Sequence, residues 1–348
     1  MEHVQGCSMQ VVDGGSADEG GACSAGRKLC GSSPLEGSST SPSKASCGLR
    51  RWKRFVLGLR STSRSKTSCG RPVYSNSPSG TTSINRSISI GRKRCDSSPS
   101  GIASIRELMP SNGQAPCKIW FFGAFFNQPI DGVLWPVSLR HLALTGFFKH
   151  AIGNGAAWPS SLRRLTFGQN FVQPIATVSW PPLLEELTLG TFFNQPIDAV
   201  VWPVSLQCLS FGSAFNQPLD NVSWPTLLQR LCFGRAFNQP IDGTSWPSSL
   251  QQLTFGQDFN QSITGVVWPN SLHRLKFGYR FDHRIDEVTW PDSLQEVCFG
   301  RAFNQRIEGV LWPPSLQRLA FGRSFNQPID AGAFPGSLKD LILDGVAR

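Results

Sequence analysis

The sequence predicts a repeat solenoid with a parallel β-sheet on one face and irregular, helix-poor turns on the other, preceded by a disordered N-terminal tail. Three observations carry this expectation. A Trp-Pro dipeptide returns from Trp135 onward, after 23 residues at the first step and every 22 thereafter. The 348 residues include 34 Gly, 25 Pro and 24 Phe but only 2 Tyr and 3 Met, a bias that repetition produces. Residues 1–112 hold 25 Ser with a single Trp (Trp52), a single Phe (Phe55) and a single Tyr (Tyr74).

Residues 1–112 bury too little apolar surface to offset the entropy of ordering a backbone, so this Ser-rich basic tail is expected to be disordered. It also holds most of the charge, with 16 basic and 7 acidic residues up to position 110 in a chain of net +10. The folded part is therefore close to neutral, and a pI of about 9.4 does not make it a nucleic-acid binder. Two clusters form the candidate basic motif of the tail, Arg50-Arg51-Trp52-Lys53-Arg54 and Arg92-Lys93-Arg94. The first runs into Phe55-Val56-Leu57, a mixture of charge and bulk suited to an anionic surface, a partner groove or a nuclear address. Ser41-Pro42, Ser77-Pro78 and Ser98-Pro99 are candidate phosphorylation sites that would offset this charge. Six of the ten cysteines lie in the tail without C-x-x-C spacing, which predicts reduced thiols. With no apolar leader in residues 1–20 and no apolar run long enough to span a bilayer, an intracellular protein, not secreted and without a membrane span, is expected.

Residues 113–348 comprise one half-unit, nine full units of 22 or 23 residues and one truncated C-terminal unit. The Trp-Pro steps begin at Trp135, Trp158, Trp180, Trp202, Trp224, Trp246, Trp268, Trp290 and Trp312, and Phe334-Pro335 takes the tenth place. Counting from the Trp as position 1, the unit reads W-P-x-S-L-x-x-L-x-F-G-x-x-F-N-Q-P-I-D-x-V-x. Leu at 8 and Phe at 10 point the same way on a short strand, as Leu253 and Phe255 do, with Leu250 leading into it. Gly at 11, from Gly168 to Gly322, is expected to turn the chain with positive φ. Phe at 14 and Ile at 18 supply further inward anchors, and Pro at 2 and 17 hold two corners extended. Such a unit cannot close a core by itself, so only stacking completes its burial and its hydrogen bonding.

Stacking assigns the polar positions too. Asn at 15 (Asn127, Asn194, Asn216, Asn238, Asn260, Asn304, Asn326) is expected to form a buried ladder that serves turn amides, disturbed where Lys149, Val172 and Asp282 replace it. The Trp column is expected to stack in offset fashion. Asp198, Asp220 and Asp242 at position 19 are solvated or cap local amides, with a column of cation ligands as the alternative.

The string F-G-x-x-F-N-Q-P-I followed by P-x-S-L-x-x-L, complete from Phe233 to Leu253, closely resembles the FNIP repeat, a 22-residue relative of the leucine-rich repeat. The resemblance covers about residues 118–343 and implies a leucine-rich-repeat-like interaction solenoid. In that family such arrays are often joined to an F-box or a kinase domain, and neither is evident here. The Trp before the Pro and the Asp at 19 depart from the commoner family pattern.

No enzyme, cofactor or metal is expected. His3, His141, His150, His273 and His283 are scattered, and no G-x-S-x-G, P-loop or H-E-x-x-H occurs. Function is instead expected where the unit varies, at positions 7 and 9, which alternate with the inward Leu and Phe. The candidate partner-binding face is His141, Arg164, Glu186, Arg230, Gln252, Arg274, Lys276, Glu296 and Arg318, with Cys208, Cys232 and Cys298 on the same outward face. Its mixed signs point to an unidentified protein partner. The expected function is a non-catalytic protein-interaction scaffold; the alternative is a nucleic-acid-associated protein that binds through its basic Ser/Arg tail. The last unit keeps Leu338, Leu341 and Leu343, so its strand is expected to present an unpaired edge blunted by Lys339, Asp340 and Asp344, leaving a monomer.

Overall fold

A computed structural model describes residues 54–57, 95–97, 118–123, 125–153 and 158–344. The repeats build short strands, one per coil: β3 (Ile119–Phe122), β4 (His141–Leu144), β5 (Arg164–Phe167), β6 (Glu186–Thr188), β7 (Cys208–Ser210), β8 (Arg230–Cys232), β9 (Gln252–Thr254), β10 (Arg274–Lys276), β11 (Glu296–Cys298), β12 (Arg318–Phe321) and β13 (Asp340–Leu343). All pair in parallel with the next in sequence, offset by one unit, so Arg274 is in register with Gln252 and with Glu296. A 3₁₀ turn at Ala331–Ala333, capped by the Asp330 side chain, is the helical element among the described residues.

Three turns bend each coil back on itself. At the first, the N–H of position 5 donates to the Pro carbonyl at position 2, as Leu250 does to Pro247 at 3.0 Å. At the second, position 14 donates to the Gly carbonyl at 11, and at the third, position 21 donates to position 18, as Phe215 does to Gly212 and Val222 to Leu219. Among the described residues positive φ occurs at Gly146, in the second turn of the first full coil, and in the third turn at position 20 of some coils: Gly132, Asn221, Gly265 and Gly309. There it suits the third residue of a type II turn.

The glycines of position 11 correct the sequence expectation, for none of Gly168 to Gly322 has positive φ. They are required by contact between coils. A Cβ on Gly256 would overlap the carbonyl of Gly234, and one on Gly278 would overlap that of Gly256. Backbone lies directly on backbone at this turn, so nothing flexible can yield.

The core is one continuous cluster from Trp120 to Leu343. Two Phe columns run along it. Position 14 extends unbroken from Phe126 to Phe325, with successive ring centroids 6.0–6.3 Å apart. Position 10 stacks from Phe211 to Phe321 at 5.5–5.8 Å. The expected Trp stacking is present, with Trp180–Trp202, Trp224–Trp246, Trp246–Trp268 and Trp290–Trp312 at 6.2–6.5 Å. Equivalent rings measure the coil-to-coil displacement at their own radius. That displacement rises from about 4.8 Å in a strand ladder through position 10 to position 14 and the Trp corner, so the coils splay away from the sheet. The sheet therefore lines the inner side of a curve.

The tail differs from its expectation at two places. Strand β1 (Arg54–Leu57) pairs in parallel with β13, and β2 (Cys95–Ser97) pairs in parallel with β3, giving the order β1-β13-β12 through to β3-β2. The C-terminal strand is therefore not an open edge. The rest of residues 1–112, including Arg50, Arg51, Trp52, Lys53, Arg92, Lys93 and Arg94 of the two basic clusters, lies outside the described residues.

Replacing Gly256 by Ala is expected to lower unfolding stability by about 3 kcal/mol, because the overpacking is against backbone. Gly243→Ala, whose Cβ would meet only Asp220 Oδ1 at 3.4 Å, is expected to stay within about 0.5 kcal/mol of the parent in the same urea titration.

Candidate functional site

The strand alternation places the residue before each inward Leu at the start of a strand, in register from coil to coil. His141, Arg164, Glu186, Cys208, Arg230, Gln252, Arg274, Glu296, Arg318 and Asp340 thus form one column on the inner, sheet face. Lys276 stands exposed two residues beyond Arg274 on β10. The structure brings these candidates together along one line, without gathering them into a cleft.

The column is ion-paired in two runs. In the first, Glu186 receives Arg164 Nε at 3.1 Å and Arg230 Nη2 at 3.9 Å. Arg230 reaches Glu186 across the intervening coil, whose column residue is Cys208. This accounts for the burial of Cys208, a departure from expectation; Ser210, also of the outward face, is buried too. In the second run, Glu296 receives Arg274 Nε at 3.5 Å and Arg318 Nη1 at 3.8 Å, and Arg318 Nη2 reaches Asp340 Oδ2 at 3.3 Å. Gln252 separates the runs. A parallel pair, Arg163 with Glu185, lies one residue earlier in the unit. At the N-terminal end, burial and then the charge of Arg164 lower the pKa of His141 below its usual value, keeping it neutral at neutral pH.

The Cys298 thiol donates to Glu296 Oε1 at 3.6 Å. Burial, and next the neighbouring Glu296 carboxylate, push its pKa up to about 12. Such a group is a thiol at neutral pH, the opposite of an activated nucleophile. Among the described residues no group of three or more His, Cys, Asp and Glu is placed to hold a metal ion, and no helix is long and apolar enough to cross a membrane. Asp198, Asp220 and Asp242 are exposed, while Asp330 caps a local amide.

The polar ladder is present but sits at the rim, half-buried at Asn127, Asn216, Asn238 and Asn304 and exposed at Asn194, Asn260 and Asn326, not buried as expected. Each Asn side chain accepts the N–H of position 15 in the next coil, as Asn216 does from Asn238 at 2.9 Å and Asn238 does from Asn260 at 2.8 Å. The Gln of position 16 joins it: Gln261 Nε2 donates to the Asn238 carbonyl at 3.0 Å and to its Oδ1 at 3.1 Å. Asp282 continues the ladder, accepting from Asn304 at 2.8 Å, contrary to the expected disturbance. His150 and His283 take the place of Gln, each with Nε2 3.0 Å from the Asn carbonyl of the coil before. Two of the scattered histidines are therefore ladder members. Sequence reasoning also missed a second ladder, in which Ser at position 4 donates to the Leu carbonyl at position 5 of the preceding coil, as Ser249 does to Leu228 and Ser271 to Leu250. The recurrence of Ser in W-P-x-S-L, interrupted at Leu183 and Leu227, was its signal.

A further surface feature absent from the sequence expectation is a set of exposed aromatics at position 13 of early coils. Phe125, Phe147 and Phe192 protrude, and the first two stack at 6.1 Å.

Asn238→Ala, which removes the acceptor of two donors, is expected to cost about 1–2 kcal/mol in urea unfolding, and Asn238→Asp well under half of that, as Asp282 serves in the same place. Iodoacetamide should alkylate Cys298 at pH 8 at least about tenfold more slowly than a Cys peptide, with the rate still climbing above pH 10, in peptide mass mapping.

Residues 193–236, 215–258, 259–302 and 303–345 match the family model of the FNIP repeat. The crystal structure of CroV588, a circular LRR protein, is 44% identical over 65% of this chain and 33% of that one, with a TM-score of 0.60. The chain thus spans about a third of the length of CroV588. An internalin, inlF of Listeria monocytogenes, is 14% identical over 61% of this chain and 69% of that one, with a TM-score of 0.38. No curated protein matches the chain. Residues 193–345 are FNIP repeats, and the array they belong to is a leucine-rich-repeat-like parallel β-solenoid.

Proposed function

We propose that the chain is a non-catalytic scaffold that binds a protein partner on the inner sheet face, along the column from His141 to Arg318. The observation that carries this reading is the non-identity of that column. Stacking dictates the residues at the core and ladder positions, yet at position 7 successive coils present Arg164, Glu186, Cys208, Arg230, Gln252, Arg274, Glu296 and Arg318. Mixed signs complement a surface that itself carries both charges, and suit a polypeptide better than a uniformly anionic backbone. Arg230 in the first run is only 16% exposed, but the pairs of the second run are substantially solvated, with Arg274 61% and Arg318 48% exposed at the side chain. Each is worth little by itself, so exchanging one for a partner's charge costs little. The protruding Phe125, Phe147 and Phe192, on the turn that follows the strand, add apolar anchors of the kind that dominate protein interfaces.

The test places a photo-crosslinking residue at Gln252 on the sheet face, or at Val267, 79% exposed on the outer corner, and compares the proteins captured in cells. Protein adducts from position 252, absent from 267 and abolished by Glu186→Arg with Glu296→Arg, are expected. Adducts from 267 alone would overturn the assignment of the face.

A further inference from the structure

The C-terminal edge of the sheet is covered by a strand that comes from 286 residues earlier in the chain, in the register Arg54 to Asp340, Phe55 to Leu341, Val56 to Ile342 and Leu57 to Leu343. The sequence around that strand repeats the unit. Trp52-Lys53-Arg54-Phe55-Val56-Leu57-Gly58 reads against Leu316-Gln317-Arg318-Leu319-Ala320-Phe321-Gly322 with bulky apolar residues at positions 5, 8 and 10, Arg at 7 and Gly at 11. The pairing register is the one this sequence alignment requires: Phe55 falls at the position of Leu341 and Leu319, and Leu57 at that of Leu343 and Phe321. Pattern and geometry agree.

Charge agrees as well. Down the column of position 7 the last coils alternate Arg274, Glu296, Arg318 and Asp340, and Arg54 continues the alternation at the next place. The apolar residues of the last coil are as deep as those of the middle of the array: Leu341 is 0% and Leu343 3% exposed, against 1% for Leu253 and 3% for Phe255. The opposite edge offers a contrast, since Cys95, Asp96 and Ser97 pair with Trp120, Phe121 and Phe122 without repeating the apolar pattern.

We propose that the edge of β13 is a strand-accepting site, occupied by this chain's own segment Arg54–Leu57, and that the partners it takes are extended segments of the pattern apolar-x-basic-apolar-x-apolar-Gly. Backbone hydrogen bonds supply the affinity, as in other additions of a strand to a sheet edge, and the two apolar residues and the basic residue opposite Asp340 supply the selectivity. The segment is tethered and not fused: 37 residues separate β1 from β2, at up to about 3.3 Å each, enough to reach the opposite edge of a sheet whose strands repeat every 4.8 Å or so. A one-sided, four-residue strand on such a tether is exchangeable, and its high local concentration makes it a competitor that any external segment must displace.

The experiment uses the full chain and a fluorescent peptide of residues 48–60. In Phe55→Asp with Leu57→Asp, both changes lie outside the repeats, so the array stays folded by circular dichroism. Hydrogen exchange in residues 340–344 is expected to accelerate at least about tenfold in this variant, and the peptide to bind it at least about tenfold more tightly than it binds the unaltered chain. Asp340→Arg is expected to weaken peptide binding, and a peptide with Arg54→Asp to restore it. Equal binding to variant and parent, no binding to the variant, or unchanged exchange in residues 340–344 would overturn the proposal. A concentration-dependent dimer of the unaltered chain in sedimentation would place the segment on a second copy and overturn its assignment to the same chain.

Discussion

The contact between one coil's turn glycine and the carbonyl of the coil before it is the constraint on which the rest of this array depends. With no side chain at position 11, the turn that ends each strand lies flat on its predecessor, and the coils approach to the distance of a parallel ladder. Everything else inherits that repeat. Hydrogen bonds between strands, the ladders of Asn, Gln and Ser, and the columns of Phe all need equivalent atoms in successive coils to come within reach. A coil held away at this corner would lose them together, which is why glycine returns eight times from Gly168 to Gly322.

The same geometry explains why the interior is aromatic. On the side away from the sheet the coils splay, and ring centroids sit 6.0–6.5 Å apart at position 14 and at the stacked Trp pairs. Small aliphatic side chains would leave voids there, whereas Phe and Trp span the wider spacing and meet in near-parallel, offset fashion, with planes 4° apart between Phe171 and Phe193. Position 10, closer to the sheet, tolerates Leu144 and Leu189 in place of Phe without interrupting the cluster. Residue size therefore follows distance from the sheet.

Much of this was legible in the sequence because translation along the array turns spatial adjacency into a 22-residue period. The strand positions, the register, the parallel sheet, the stacked columns and the outward alternation of positions 7 and 9 all follow from reading the unit against itself. What was not legible depends on something other than the period. Glycine at 11 was assigned to positive φ because a sequence does not show how closely two backbones approach; position 20 adopts positive φ only in some coils, at Gly132, Asn221, Gly265 and Gly309, and is less regular in sequence. Cys208 is buried because Glu186 and Arg230 span it, a relation between three coils that no single unit contains. Thr244, buried in the column of Val222 and Val266, follows the hydrophobic pattern in shape while carrying a hydroxyl that no protein group meets. The strand of the tail escaped notice because composition averaged over 112 residues concealed seven that repeat the unit.

The division between constrained and unconstrained positions also bears on recognition. Residues that every coil shares present the same chemistry at every step, so they cannot distinguish one place on the array from another. Selectivity must come from positions that stacking leaves open, and these fall on two surfaces: the charged column of the sheet and the turn bearing Phe125, Phe147 and Phe192. On the inner side of the curve, strand spacing brings column residues into contact with their neighbours, and the charges settle into pairs. Those pairs hold the face in a fixed arrangement, and the ones around Glu296, being solvated, resist exchange only weakly. A surface ordered in this way presents alternating charge at a spacing near that of a β-ladder; on the function proposed above, its selectivity rests on which coils break the alternation, at Cys208 and Gln252, rather than on those that keep it.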